Sequence, residues 1–208
     1  MDQEQLKKVE AFIAENKGKR KFTQSVELAV NFRGIDFSKT DNRLNIAVAL
    51  PQGKGKESKV AAFTDDANMV QKLESLGARI IRSSELPQFS SPAKQSELLN
   101  YELIAQPSMM PQVAKALGQF LGPRNKMPRP IVGDPEAMVR GATKSIYIRS
   151  KGKYLPTVHC MIGTESMPVE HITANMDAVM NELIKKVGKQ SIRSVYLKLT
   201  MSKPLKVM

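Results

Sequence analysis

The sequence predicts an α/β protein of two domains, a discontinuous one made of both chain ends and a second inserted between them over residues 59–149. Three observations carry that expectation. Both ends hold long strands of strict period two, the middle alternates short apolar strands with helices, and polar, lysine- and glycine-bearing breaks near Ser58 and Ser150 separate the two patterns.

Residues 2–16 place Leu6, Val9, Phe12 and Ile13 at helical spacing with Asp2 available as a cap, and the basic turn at 17–21 ends the helix. From Phe22 the period becomes two. Val26, Leu28, Val30 and Phe32 share one face, and Thr23, Ser25, Glu27, Ala29 and Asn31 the other, which reads as a half-buried strand. A second strand runs over 43–50 with Leu44, Ile46, Val48 and Leu50 inward, followed by a linker at 51–58. The middle reads strand 60–63, helix 66–76, strand 79–81, helix 91–100, strand 103–105, a helix capped by Ser108 and reaching Leu121, a helix over 135–141 and a closing strand at 145–149. Such alternation implies parallel βαβ units with helices on both faces of a small sheet. Past Lys151-Gly152-Lys153, a strand over 156–163, a long amphipathic helix over 168–187 and a last strand over 191–201 return to the pattern of the N-terminal part.

Composition narrows the function. The 208 residues carry 32 Lys and Arg against 20 Asp and Glu, a net charge of +12 and a pI near 9.8, which points to a polyanionic partner, nucleic acid being the commonest. The two ends together hold +8 and residues 59–149 hold +4. No apolar run approaches the roughly 20 residues that span a bilayer, and the polar, acidic start is unlike a signal peptide, so no membrane association and a cytoplasmic location are expected. One cysteine, Cys160, excludes an intramolecular disulfide, and two histidines without metal-ligand spacing give no metal site.

Catalytic constellations are missing in instructive ways. Gly53-Lys54-Gly55-Lys56 lacks the upstream glycine and following Ser or Thr of a P-loop and reads as a flexible basic hinge; no GxGxxG occurs. His159 and Cys160 are adjacent in a strand and must point to opposite faces, so they form no nucleophile and base pair. His171, in the first turn of the last long helix, reads as a surface residue, and Met176 and Met180 as core filler. The segment Leu121-Gly122-Pro123-Arg124-Asn125-Lys126-Met127-Pro128-Arg129-Pro130 is an ordered non-helical loop, and the sequence leaves open whether its cations Arg124 and Lys126 bind a partner or the loop merely packs on the preceding helix. Small polar side chains on the strand from Phe22, and the hydroxyl-rich Thr200-Met201-Ser202-Lys203, suit close approach to an RNA backbone and its 2′-hydroxyls, with Phe22 able to stack a base.

Three separated motifs resemble the ribosomal protein L1 family, the protein of the large subunit's mobile side stalk, in its archaeal form: residues 121–128, the strand Lys21-Phe22-Thr23-Gln24-Ser25-Val26-Glu27-Leu28, and Ser194-Val195-Tyr196 followed by Thr200-Met201. The resemblance spans nearly the whole chain. It implies a discontinuous α+β sandwich RNA-binding domain (residues 1–58 with 150–208) and an inserted Rossmann-like three-layer α/β/α domain (59–149). It also implies a non-enzymatic protein, without cofactors and monomeric when free, that binds large-subunit ribosomal RNA, contacts exit-site transfer RNA and represses its own messenger RNA. The family's RNA-contacting surface falls here on Phe22, Thr23, Ser25, Glu27, His159, Gly163, Thr200 and Met201, with Ser202 next to them where many members have glycine. Asn125 replaces the usual glycine of the proline-rich loop, a position where Asn tolerates positive φ. The competing reading is a small Rossmann-type nucleotide-binding enzyme with incidental basic charge; the turn Phe63-Thr64-Asp65-Asp66 lacks the glycines it needs.

Overall fold

A computed structural model describes residues 3–56, 58–150 and 155–208, in the order α1 (Gln3–Asn16), β1 (Ser25–Phe32), β2 (Asn45–Ala49), β3 (Lys59–Phe63), α2 (Ala67–Ser75), β4 (Arg79–Ile81), α3 (Pro92–Leu98), β5 (Tyr101–Ala105), α4 (Met110–Leu121), β6 (Arg129–Pro130), α5 (Pro135–Lys144), β7 (Ser145–Arg149), β8 (Thr157–Thr164), α6 (Val169–Val187), β9 (Ile192–Leu199) and β10 (Leu205–Lys206). Residues 1–56 with 144–208 form one compact unit and 57–143 a second. The expected cap Asp2 and the break at 151–153 lie outside the described residues.

In the terminal unit, β10, β9, β1 and β8 form an antiparallel sheet in that order. Period two in β1 does what the sequence implies: Val26, Leu28, Val30 and Phe32 are all buried while the residues between them are half-exposed. Leu28 lies opposite Leu197 on β9 and Cys160 on β8, so three strands commit one face to the core. α1 contributes Val9 and Ile13 to that core, and α6 contributes Ile172, Met176, Val179, Met180 and Leu183 at helical spacing. β1 starts three residues later than the sequence suggests. Phe22 and Thr23 precede the ladder, which opens with Ser25 opposite Thr164.

The strand β7 corrects the sequence reading. Expected to close the middle unit, it pairs antiparallel with β2 from Asn45 opposite Arg149 to Ala49 opposite Ser145, and buries Ile146 and Ile148 with the terminal core. The stretch at 51–56 is also no flexible hinge. Asn175, fully buried on α6, accepts from the Gln52 N–H at 3.1 Å and donates to the Gly53 and Ile162 carbonyls, both at 2.8 Å, while the Thr164 hydroxyl donates to the Gly55 carbonyl at 3.3 Å. Gly55 has φ +67°, and a Cβ there would stand 2.3 Å from the Met167 sulfur, so this docking requires glycine.

In the middle unit the order β4, β3, β5, β6 is wholly parallel. Ala61, Phe63, Leu103 and Ala105 pack with Leu98 of α3 and Val113, Leu117 and Leu121 of α4, while Val60, Ala62 and Ile104 pack with Leu73 of α2 and Val139 and Ala142 of α5. Helices cover both faces of a buried parallel sheet, as its apolar strands require. Asp66 caps α2, accepting from the Asn68 and Met69 N–H groups. Ser108 does not cap α4. Residues Pro107–Met109 form a 3-10 turn ahead of it, and Pro111, lacking an N–H, leaves one fewer donor in its first turn to satisfy. The edge strand β6 tolerates Pro130 because it pairs on one side only. Asn125 takes φ +54°, alone among the described non-glycine residues, and fills the role foreseen for it.

Candidate nucleic-acid interface

Among the described residues α1 and α6 pack on one face of the terminal sheet, and the β1 side chains of the other face, Ser25, Glu27, Ala29 and Asn31, are half-exposed. Register sets its composition. Glu27 lies between Lys198 of β9 and Met161 of β8, and Ala29 between Tyr196 and His159, so the first row carries an ammonium and a carboxylate beside a thioether and the second a phenol, a methyl and an imidazole. His159 is exposed and Cys160 buried, on opposite faces as alternation demands; burial, with a smaller contribution from Glu27, pushes the Cys160 thiol up to about 12.

At the end of β9 the chain turns through Thr200, Met201 and Ser202. Two sets of hydrogen bonds fix this turn. The Thr200 hydroxyl accepts from the Ser25 N–H at 3.0 Å while the Thr200 N–H donates to the Ser25 carbonyl at 3.1 Å; the Ser202 hydroxyl accepts from the Leu199 N–H at 2.9 Å and donates to the Lys203 carbonyl. On its N-terminal side the Met201 N–H donates to the Gln24 side-chain oxygen at 3.1 Å. Met201 itself is 57% exposed and Phe22 50%, two large apolar side chains held out in water on segments joined through Gln24. Beside them a recess of about 360 Å³ is lined by Asn16, Lys19, Arg20, Gln24, Met201 and Ser202, which puts two cations next to the turn.

The structure therefore brings together Phe22, Thr23, Ser25, Thr200, Met201 and Ser202 at one end of the sheet, with Glu27 and His159 farther along the same open face. Gly163 is placed differently. It is buried opposite Val26, and a Cβ on it would meet the Met167 sulfur at 3.0 Å and Ile172 at 3.4 Å, so its lack of a side chain serves the core. Arg124 and Lys126 lie in the middle unit and contact it. The Arg124 guanidinium sits 4.0 Å over the Phe120 ring and donates to the Phe120 carbonyl, while Lys126 reaches the Tyr101 carbonyl and the Glu102 carboxylate. His171 is half-buried.

Sequence reasoning passed over Gln24 and Glu165 as site residues. Gln24 carried a signal, being a polar residue on the inward parity of Val26 and Leu28. Glu165 carried none, because the bulge at Val26/Glu27 breaks the parity of β8 before it.

At the carboxyl ends of the parallel strands, where an α/β sheet binds nucleotides, the chain's own groups fill the positions. The Asp66 carboxylate occupies the first amides of α2, the Asp65 carboxylate accepts from the Ser83 N–H, and the Thr64 hydroxyl donates to Gln106. Two carboxylates there repel a phosphate. Among the described residues no cluster of His, Cys, Asp and Glu could hold a metal ion, and no helix is long and apolar enough to cross a membrane.

Comparison with known proteins follows the same residues. Residues 7–203 match the model of the ribosomal protein L1p/L10e family. The chain is 39% identical to the large ribosomal subunit protein uL1 of Thermofilum pendens over 204 residues, 95% of this chain and 89% of that protein. It is 39% identical to uL1 of Pyrococcus abyssi over 196 residues (90% and 88%), and 34% identical to uL1 of Thermoplasma acidophilum over 209 (97% and 95%). These relatives are archaeal-type ribosomal proteins, a structural family and not an enzyme family. A match that reaches from α1 through the middle unit to the turn after β9 leaves one assignment: the chain belongs to the ribosomal protein L1p/L10e family.

Proposed function

We propose that the two compact units are separate domains and that the terminal one is the RNA-binding domain, docking on large-subunit ribosomal RNA at the mobile side stalk. As a member of this family the protein works in the cytoplasm, in the ribosome. The observation that carries the reading is the turn at Thr200 and Met201, tied to Ser25 and to Gln24 two residues past the exposed Phe22, at the end of a half-exposed sheet face and next to Lys19 and Arg20. Such a surface fits RNA by shape. Met201 and Phe22 meet base or sugar faces, Ser25 and Thr200 lie within reach of 2′-hydroxyls, and the two cations meet phosphate. The same surface serves a structural mimic in the protein's own messenger RNA, which makes the protein a repressor of its own translation, and from the stalk it contacts the transfer RNA leaving the exit site. Free of RNA, the protein is a monomer.

The test is affinity for the ribosomal stalk RNA fragment against an unrelated RNA of equal length and charge. The expected outcome is tighter binding of the stalk fragment by about 10³-fold or more, in the range that separates specific from non-specific nucleic-acid complexes. Equal affinities overturn the reading.

A further inference from the structure

The exposed turn depends on a group that solvent does not reach. Gln24 is 2% exposed, and its carboxamide makes three hydrogen bonds. Its Nε2 donates to Glu165 Oε2 at 3.0 Å and to the Asn16 carbonyl at 3.1 Å, and its Oε1 accepts from the Met201 N–H at 3.1 Å. Glu165 is 6% exposed and is tied back to the same residue, its N–H donating to the Gln24 carbonyl at 3.0 Å. The two ends of a carboxamide are nearly equal in size, so the partners decide which way it faces. A carboxylate and a backbone carbonyl both accept, and both therefore demand the NH₂ end. Only the oxygen is left for Met201. The carboxylate of Glu165 thereby sets the sense of the Gln24 amide, and the amide sets the backbone of Met201. Thr200 is anchored separately, through Ser25, so the hold on Met201 is a distinct part.

We propose that Gln24, oriented by the buried carboxylate of Glu165, is a positioning residue that holds the Thr200 to Met201 turn in the shape that reads RNA, an inference that rests on the terminal unit being the RNA-binding one. Gln24 touches no RNA in this scheme. It acts by presenting the exposed Met201 side chain at a fixed angle beside Phe22, so its loss strikes discrimination rather than charge-driven binding.

The test is Gln24→Glu in the full chain, which keeps the shape and sets an oxygen against Glu165 and the Asn16 carbonyl. The Met201 amide should lose its protection from hydrogen exchange while the Thr200 amide keeps its own. Affinity for the stalk RNA fragment should fall about tenfold or more, the effect of one misplaced buried polar group, and affinity for random RNA should change about twofold or less. Adding Glu165→Gln restores a donor opposite position 24 and should recover much of the lost stalk affinity. If Gln24→Glu does not fold, Gln24→Met, neutral and of similar length, carries the same expectations. Stalk affinity within about twofold of the parent while the Met201 amide exchanges freely overturns the proposal, because the hold would then be irrelevant to reading. Stalk and random affinities falling in parallel with the melting temperature, unrescued by Glu165→Gln, also overturns it in favour of a purely structural role. A parent protein that does not prefer stalk RNA refutes the assignment of the RNA-binding unit instead, and the exchange pattern still reports separately whether Gln24 holds Met201.

Discussion

Thr200 and Met201 stand side by side and differ in what a substitution there removes. The Thr200 hydroxyl is already bonded to the Ser25 backbone, so Thr200→Val strips a partner from a half-buried N–H and perturbs the end of β1 as well as any RNA contact, at about 1–3 kcal/mol. The Met201 side chain is 57% exposed and its hydrogen bond to Gln24 is made by its backbone N–H, which makes Met201→Ala the cleaner probe. It should lower stalk RNA affinity severalfold without shifting the urea midpoint, whereas Lys72→Ala, on the exposed surface of α2, should leave the same affinity nearly unchanged; equal losses in a filter-binding titration would make binding generic. Cys160 gives a pH signature. Its thiol titrates near 9.0 when unperturbed and near 12 in the fold, so the native state holds a proton that the unfolded chain loses. That contribution is complete below pH 9 and is lost as pH rises from 9 toward 12. Denaturant melts at about pH 8 and about pH 10.5 should show wild type losing more stability than Cys160→Ala over the interval.

Among elements, the sheet face formed by β9, β1 and β8 determines how binding responds to salt. Its rows hold Glu27, Ala29, Met161, His159 and Tyr196; register places Lys198 and Lys206 on that side, and Arg193 lines a recess there with Asn31, Thr157, Ser194 and Tyr196. Counterion release contributes a slope of about −0.7 to −0.9 in log K against log salt per neutralised phosphate, while shape and 2′-hydroxyl contacts, which only the stalk RNA makes in full, contribute none. The stalk RNA complex should accordingly show a shallower slope than the complex with random RNA, and the ratio of the two affinities should widen as salt rises. Parallel slopes would assign recognition to charge alone rather than to shape and hydroxyl contacts at the strand surface.

For the whole molecule, the pairing of β2 with β7 decides where the chain can be cut. Joining residues 1–58 to 150–208 removes β7, leaves β2 without its hydrogen-bonding neighbour and takes Ile146 and Ile148 out of the terminal core. Joining 1–56 to 144–208 keeps both. The second version should fold cooperatively and bind stalk RNA within about tenfold of the full chain. The first should be less stable by several kcal/mol, since each buried Ile removed costs on the order of 2–5 kcal/mol. Circular dichroism melts and the same binding titration distinguish them, and a well-folded second version indifferent to RNA sequence would assign recognition to residues 57–143.

What the sequence determined alone is what short-range periodicity can encode. The inward set of β1, the apolar stripe of α6 and the limits of β4 at 79–81 all follow from side-chain alternation or helical spacing, because each depends on residues a few positions apart. The positive φ of Asn125 belongs with them, being a property of the residue type in a tight turn. Tertiary structure alone decided the rest. A strand such as 145–149 shows its apolar face in sequence but not its neighbour, and β6 and β10, two residues each, exist only because β5 and β9 offer them an edge. The candidate site follows the same division. Phe22, Ser25, Thr200 and Met201 were legible as exposed or polar residues, but the hold of Glu165 on Gln24 and of Gln24 on Met201 joins residues 141 and 177 positions apart. No local pattern can carry a hydrogen bond of that separation; it arises when the sheet closes and each buried polar group must find a partner in what the fold has brought near.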